Sequence, residues 1–283
     1  MKITTLVENN LWGDQKEISK ELGTQHGLSL YIETMNKKIL FDIGKDDLFN
    51  RNAAILGVDI GEVDYLVLSH AHYDHVGGLE KFLEVNKTAK IIVSRRAQEE
   101  VYSKRLGFYK YIGIKNELLK ENIDRFIFIE KELKLDENIS FMMNIYHEGK
   151  PLKGNSHLYK KCGKDYTLDD FSHEIIMVIE EKKDELIVFT GCSHGGILNM
   201  VKSVEERFLH KKIMGLVGGF HLQNNITKEL AEPRERVLNI GEKLRKILHI
   251  YTGHCTGKKG FGVLKEILGS QIEEFNTGKV FEI

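Results

Sequence analysis

Proline is nearly absent from this chain: only Pro151 and Pro233 occur in 283 residues. That excludes proline-rich linkers and stalks. Three cysteines, Cys162, Cys192 and Cys255, are too few and too scattered for the disulfide framework of a small secreted domain. No apolar run approaches the length that crosses a bilayer. Met1–Glu8 reads as a first strand, without the apolar core of a secretory leader. Neither sign of charge dominates, since 41 Lys and Arg face 42 Asp and Glu for a net charge of -1. No global field therefore draws the chain to nucleic acid or anionic lipid. The expectation is a cytoplasmic protein with neither a nucleic-acid nor a membrane partner. Its oligomeric state is not legible.

The chain is nonetheless rich in one chemistry. Asp64–Leu79 begins as an apolar strand and then places His70, His72, Asp74 and His75 within six positions, as H-x-H-x-D-H. Imidazoles and carboxylates are costly to bury unless they are paired or bound to a metal. Residues two apart in an extended chain share a side, so His70 and His72 can enter one coordination sphere. Asp74 and His75 follow at a turn and point apart, which suits a second metal beside the first. Gly77-Gly78 is expected to pass close to the site before a helix starting near Leu79. That helix's amino end would favour a bound anion.

In chain order, Lys2–Val7 reads as a strand, and Gly27–Glu33 with Lys38–Asp42 as a hairpin around Met35-Asn36-Lys37. Asp42 ends that hairpin at the sheet rim, with capping of a helix over Asp46–Leu56 as its alternative role. Ala89–Ser94 reads as a strand and Ala97–Lys104 as a helix. From about 105 to 170 the pattern weakens, as in an insertion or lid over a site. Within it, Tyr109, Tyr111, His147, Lys153 and His157 are either substrate contacts or ordinary surface residues. Periodicity returns from His173: Glu174–Ile179 and Leu186–Thr190 form a hairpin, and Leu198–Leu209 and Glu235–Leu248 are amphipathic helices. Ile213–Phe220 and His249–Thr252 are strands.

Four strand ends share one form. Val67–His70, Val188–His194, Leu216–His221 and Ile250–His254 each run from an apolar strand to a histidine, three of them through glycine. Ligands in layered α/β folds gather at such rims. Together with H-x-H-x-D-H they imply a dinuclear site.

These motifs resemble the metallo-β-lactamase superfamily. The resembling residues are His26–Ser29, Leu40–Asp42, Ser69–Leu79, Gly191–His194, Gly218–His221 and Gly253–Gly257. They are most similar to the subgroup containing the archaeal dihydropterin–ribofuranosylaminobenzene phosphate synthases. The resemblance implies an α/β fold, a four-layer αβ/βα sandwich with an inserted lid, in one domain spanning 1–283. It implies two divalent metals at one edge, with zinc expected and manganese or iron as alternatives. His70 and His72 would hold the first, and Asp74, His75 and His254 the second. The superfamily's usual bridging aspartate is replaced here by Cys192, a donor that suits zinc. His194, two residues on, is a neutral alternative. The first metal's third histidine is either His173 or His194. His221 is a ligand or a substrate contact. Asp74 and His194 are the residues expected in catalysis.

The leading expectation is metal-dependent hydrolysis of a phosphorylated small molecule, most simply a phosphate ester, through a metal-bound hydroxide. The alternative is a transferase that joins a pterin methyl diphosphate to an aminobenzene ribose phosphate, with Lys258 or Lys259 near the departing pyrophosphate. A third reading is a non-catalytic metal or redox sensor reporting through Cys192.

Overall fold

The computed structural model describes residues 1–13, 21–35 and 37–283. Asn36, in the expected hairpin turn, lies outside the described residues.

Two large sheets face each other. The first runs, in spatial order, Val280–Glu282 (β18), Lys2–Val7 (β1), Ser29–Thr34 (β2), Lys37–Phe41 (β3), Tyr65–Val67 (β4), Lys90–Ser94 (β5) and Phe126–Ile129 (β8). The second runs Ile272–Glu274 (β17), His249–Thr252 (β16), Lys212–Val217 (β15), Glu185–Phe189 (β14), Ile175–Lys182 (β13), Ile139–Met143 (β10) and Glu132–Lys134 (β9). Strands β3, β4, β5 and β8 are parallel in the first sheet, and β14 to β17 are parallel in the second. Both expected hairpins form, pairing β2 with β3 and β13 with β14.

Strand alternation explains the layers. Leu30, Ile32, Ile39, Phe41 and Val67 pack against Ile175, Met177, Ile187 and Phe189 between the sheets. The residues between them in sequence point outward. Leu40, Leu66 and Ile91 meet Phe49 and Ala53 of Leu48–Ile55 (α1) and Phe82 of Leu79–Val85 (α3). On the opposite flank Val188, Leu186 and Leu216 meet Ile197–Arg207 (α5), Arg234–Leu244 (α6) and Gly257–Leu268 (α7). Strands apolar on both faces are what a sheet covered on both sides requires. Each fully buried Leu, Ile or Phe contributes about 1.5–3 kcal/mol. The four-layer α/β sandwich expected from the sequence is the fold observed.

The weakly patterned stretch divides among three sheets. Strands β8, β9 and β10 complete the two large ones. Val101–Arg105 (β6), Phe108–Tyr111 (β7), Leu158–Cys162 (β11) and Asp165–Leu168 (β12) make a separate small sheet in the order β12-β11-β6-β7. The helix expected over Ala97–Lys104 is therefore a short 3-10 turn, Arg95–Gln98, followed by strand β6. Val101 and Tyr102 are strand formers, and Tyr102 pairs with both Tyr111 and Tyr159. Tyrosines stack over this sheet, Tyr109 on Tyr166 at 3.8 Å. Cross-strand pairing outweighs the local helical pattern.

Gly77 and Gly78 serve packing rather than ligand approach. A Cβ on Gly77 would lie 2.3 Å from the Lys45 carbonyl oxygen, and one on Gly78 2.5 Å from that of Ile43. The amino end of α3 thus abuts the loop after β3. None of its residues lines the cavity described below, so the anion expected at that helix end loses its basis.

Candidate metal centre

The parallel strands end on one rim, which brings Asp42, His70, Cys192, His194, His221 and His254 together although they span most of the chain. Tyr73–Val76 (α2) is one helical turn that returns Asp74 and His75 to the same place. Backbone strain concentrates there. Asp42 (φ 60°), Ser193 (φ 56°), His221 (φ 48°) and His254 (φ 50°) all occupy the left-handed region. For residues other than glycine this costs of order 1–3 kcal/mol each and is sustained where the surroundings over-determine it.

Three imidazoles form the first group. The rings of His70 and His72 are 4.7 Å apart, those of His70 and His194 5.1 Å, and those of His72 and His194 4.7 Å. All three are buried, and their Nε2 atoms have no hydrogen-bond partner among the described residues. Burial, then the neighbouring imidazoles, holds His70 and His194 well below the usual imidazole range. Their ring nitrogens are therefore neutral and available to a cation. The far sides of two rings are fixed: His70 Nδ1 lies 2.9 Å from Ser69 Oγ, and His194 Nδ1 lies 2.9 Å from Asn155 Oδ1.

Asp74, His75 and His254 form the second. His75 Nε2 and His254 Nε2 are 3.2 Å apart, and Asp74 Oδ2 lies 3.3 Å from His254 Nε2 and 3.2 Å from His26 Nε2. Burial works against the Asp74 charge, but His254, His75 and His26 outweigh it and hold the carboxyl well below its usual range. Burial alone would depress His75. The Asp42 carboxylate, 2.6 Å from its Nδ1, pushes it up to about 9.

Cys192 stands between the groups. Its Sγ lies within 4.8 Å of the ligating atoms of His70 and His194 on one side, and of His75 and His254 on the other. Neutral imidazoles with orphaned nitrogens, a carboxylate and a thiol are a donor set that fits divalent metal. Cys192, His221 and Cys255 make a further triad of this kind. The His221 backbone N–H donates to Cys255 Sγ at 3.3 Å, so Cys255 helps hold the strained turn.

Two sequence expectations need correction. His173 has no nitrogen free for a metal: Nδ1 accepts from the Ala71 N–H at 3.2 Å, and Nε2 lies 3.0 Å from Asp169 Oδ2. It buttresses the H-x-H turn, and the third imidazole of the first group is His194. Lys258 is exposed on α7 and is not among the cavity's lining residues. Arg105 and Lys228 are the cations found there. His157 lines the cavity, whereas Tyr109, Tyr111, His147 and Lys153 do not.

Other residues escaped the sequence reading. Asp42 caps no helix, since Asp46 takes the Leu48 N–H at 3.0 Å. It instead accepts the Ser69 N–H and hydroxyl, both at 2.7 Å, and faces His75. Glu174, pushed up to about 7 by burial, accepts the N–H groups of His194 and Gly195 at 2.8 Å. Glu8 accepts the His254 N–H at 2.6 Å, and Asn9 Oδ1 lies 3.0 Å from His254 Nδ1. Only Asp42, at a strand end, carried a local sign of this role.

The cavity beside the two groups measures about 260 Å³. A larger hollow of about 610 Å³ lies along β9 and β10, and its lining residues include no histidine. Four of its charged residues are paired, Arg207 with Glu132 and Lys211 with Glu180.

Residues 22–209 match the family described as the metallo-beta-lactamase superfamily. The chain belongs to that superfamily. It is 31% identical, over 100% of its own length and 96% of the relative's, to the 7,8-dihydropterin-6-methyl-4-(beta-D-ribofuranosyl)-aminobenzene-5'-phosphate synthase of Methanocaldococcus jannaschii. A second Methanocaldococcus jannaschii protein, the uncharacterized MJ0448, is 30% identical over 99% of this chain and 98% of its own. Among solved structures it resembles Tm1679, described as a metal-dependent hydrolase of the beta-lactamase superfamily. That match has a TM-score of 0.81 and 27% identity and covers 100% of this chain and 99% of the other. Metal binding by this metallo-β-lactamase fold agrees with the clusters at the rim. No helix of the described residues is long and apolar enough to cross a membrane.

Proposed function

We propose that this chain is a dinuclear metal-dependent hydrolase, a single catalytic domain acting on a phosphate ester of a small molecule. The observation that carries the reading is the trio of buried, unpartnered Nε2 atoms of His70, His72 and His194 beside the Asp74–His75–His254 group. His70, His72 and His194 would hold one metal and Asp74, His75 and His254 the other, with Cys192 between the two groups. Two divalent metals bound there would supply Lewis acidity, which acidifies water and stabilises charge on attacking and leaving oxygens. The thiol favours zinc; manganese or iron suit the remaining donors.

The protein's own residues do the positioning. Asp42 orients His75 directly and His70 through Ser69. Glu174 fixes the turn that carries His194, and Glu8 with Asn9 fixes His254. Such supporting contacts set ligand orientation and basicity. Small-molecule sites commonly span about 300–1,000 Å³. A cavity near 260 Å³ suits one modest substrate better than two joined side by side, which favours hydrolysis over condensation.

The test is metal content by mass spectrometry together with a phosphoester panel. Roughly two metals per chain and turnover lost to a chelator and restored by zinc are expected. A metal-replete protein that turns over no phosphoester would overturn the hydrolase reading. The full-length similarity to the synthase supports a second reading, transfer between a pterin methyl diphosphate and an aminobenzene ribose phosphate. Pyrophosphate release only when both substrates are present would select it.

A further inference from the structure

The cavity has a second wall that the metal reading does not use. Ser103 and Arg105 of β6, two apart and therefore on one face of the strand, line it from the small sheet. Asn225 and Lys228, in the loop after β15, line it from elsewhere. Ser103 Oγ, a hydroxyl that can donate to a phosphate oxygen, is shielded from solvent with no hydrogen-bond partner among the described residues, and the Asn225 amide can offer its Nδ2 as a donor. Leaving such a group unpaired is unfavourable, so a ligand that satisfies it gains affinity.

The charges point the same way. Arg105 and Lys228 are exposed, on the open side of the cavity. Neither has a carboxylate at ion-pair distance among the described residues, whereas Lys259 on neighbouring α7 is paired with Glu229. Among the described residues Asp74 is the one carboxylate lining the cavity, and it is already engaged by His26 and His254. The chain as a whole carries a net charge of only -1, so this local excess of cations is a property of the cavity. An arginine fork and a lysine point charge, each beside a polar side chain, form a phosphate-binding set.

We infer that Arg105 and Lys228, with Ser103 and Asn225, form a phosphate subsite facing the histidine cluster, and that the substrate carries a second phosphate remote from the reacting one. This rests on the reading of the histidine cluster as a metal centre that engages the first phosphate. The subsite comes half from the small sheet and half from the β15–α6 loop, so it would select bisphosphorylated substrates over monophosphates.

Alkane diyl bisphosphonates of increasing chain length, and the alkylphosphonates matching each, resist hydrolysis and isolate binding. Calorimetry on the metal-loaded protein should show one bisphosphonate length bound about tenfold or more tighter than its monophosphonate. That preference should disappear in Arg105→Ala/Lys228→Ala and be partly restored in Arg105→Lys/Lys228→Arg, while metal content and Tm stay at the wild-type values. Lys258→Ala removes a positive charge outside the cavity and should leave the preference intact. A wild-type protein with no preference, a double variant that keeps it, or an equal loss in Lys258→Ala would each overturn the subsite. Loss of preference in the double variant, in a protein that hydrolyses no phosphoester, would uphold the subsite and reject hydrolysis alone.

Discussion

Replacing His194 and His173 separately should separate ligation from buttressing. His194→Ala deletes a buried imidazole whose Nε2 has no hydrogen-bond partner among the described residues, so the folded chain loses the stacking of that ring on Phe171 at 4.6 Å and the Asn155 contact at 2.9 Å. Such a hydrogen bond contributes about 0.5–1.5 kcal/mol. The metal, however, loses one of its donors, and content should fall by roughly one per chain. His173→Ala acts oppositely. It strips the Asp169 carboxylate, whose side chain is 0% exposed, of its 3.0 Å partner and the Ala71 N–H of its acceptor. Leaving a buried charged acceptor without its partner costs more than the ~1–3 kcal/mol of a neutral one. Denaturant titration of chelated protein would read the stability terms, and mass spectrometry of the folded, reloaded fraction the metal. The reasoning is refuted if His173→Ala sheds metal at wild-type stability while His194→Ala stays metal-replete.

Three further outcomes follow from the same contacts. Asp42→Asn cannot accept from Ser69 N–H, Ser69 hydroxyl and His75 together, and should weaken metal binding about 10- to 100-fold; chelator competition that finds unchanged affinity would count against it. Gly77→Ala drives a Cβ to 2.3 Å from the Lys45 oxygen and should destabilise by about 1–3 kcal/mol. Gly262→Ala, with open space at its Cβ inside α7, should stabilise by about 1 kcal/mol; equal melting midpoints for the two variants would refute the packing argument. Burial, then His221 and Arg105, pushes His157 down to about 4, below the value near 6.5 of an unfolded chain. The folded protein therefore binds fewer protons between those values, and this contribution to stability is lost as pH falls through that window. His157→Gln should flatten the acid limb of a stability–pH curve; an unchanged limb would remove His157 as its source.

Much of the candidate metal centre was legible because it is local. H-x-H-x-D-H places four ligating groups in six positions, and a histidine after an apolar strand and a glycine marks a rim wherever it occurs. The sandwich was legible for a related reason: strands such as Lys38–Asp42 and Leu186–Thr190 are apolar at successive positions, and only a sheet covered on both faces satisfies them. The small sheet was not, because β6 is held by strands β7 and β11, and β11 lies more than fifty residues away. Its local pattern reads as a helix until those partners are present.

What the sequence alone determined is the chemistry: which donor types this protein carries, and that they stand at strand ends. Tertiary structure decided their division of labour. His173 and His194 are equivalent as letters, and both end up buried among the same rings. Asp169 and the Ala71 N–H, which consume both nitrogens of His173, are fixed in place by the fold around it. Asp42, Glu174 and Glu8 likewise gained their roles only when parallel strands from distant segments ended on one rim. The hydrogen bonds that orient a ligand run across space between strands, and a linear pattern holds no record of them.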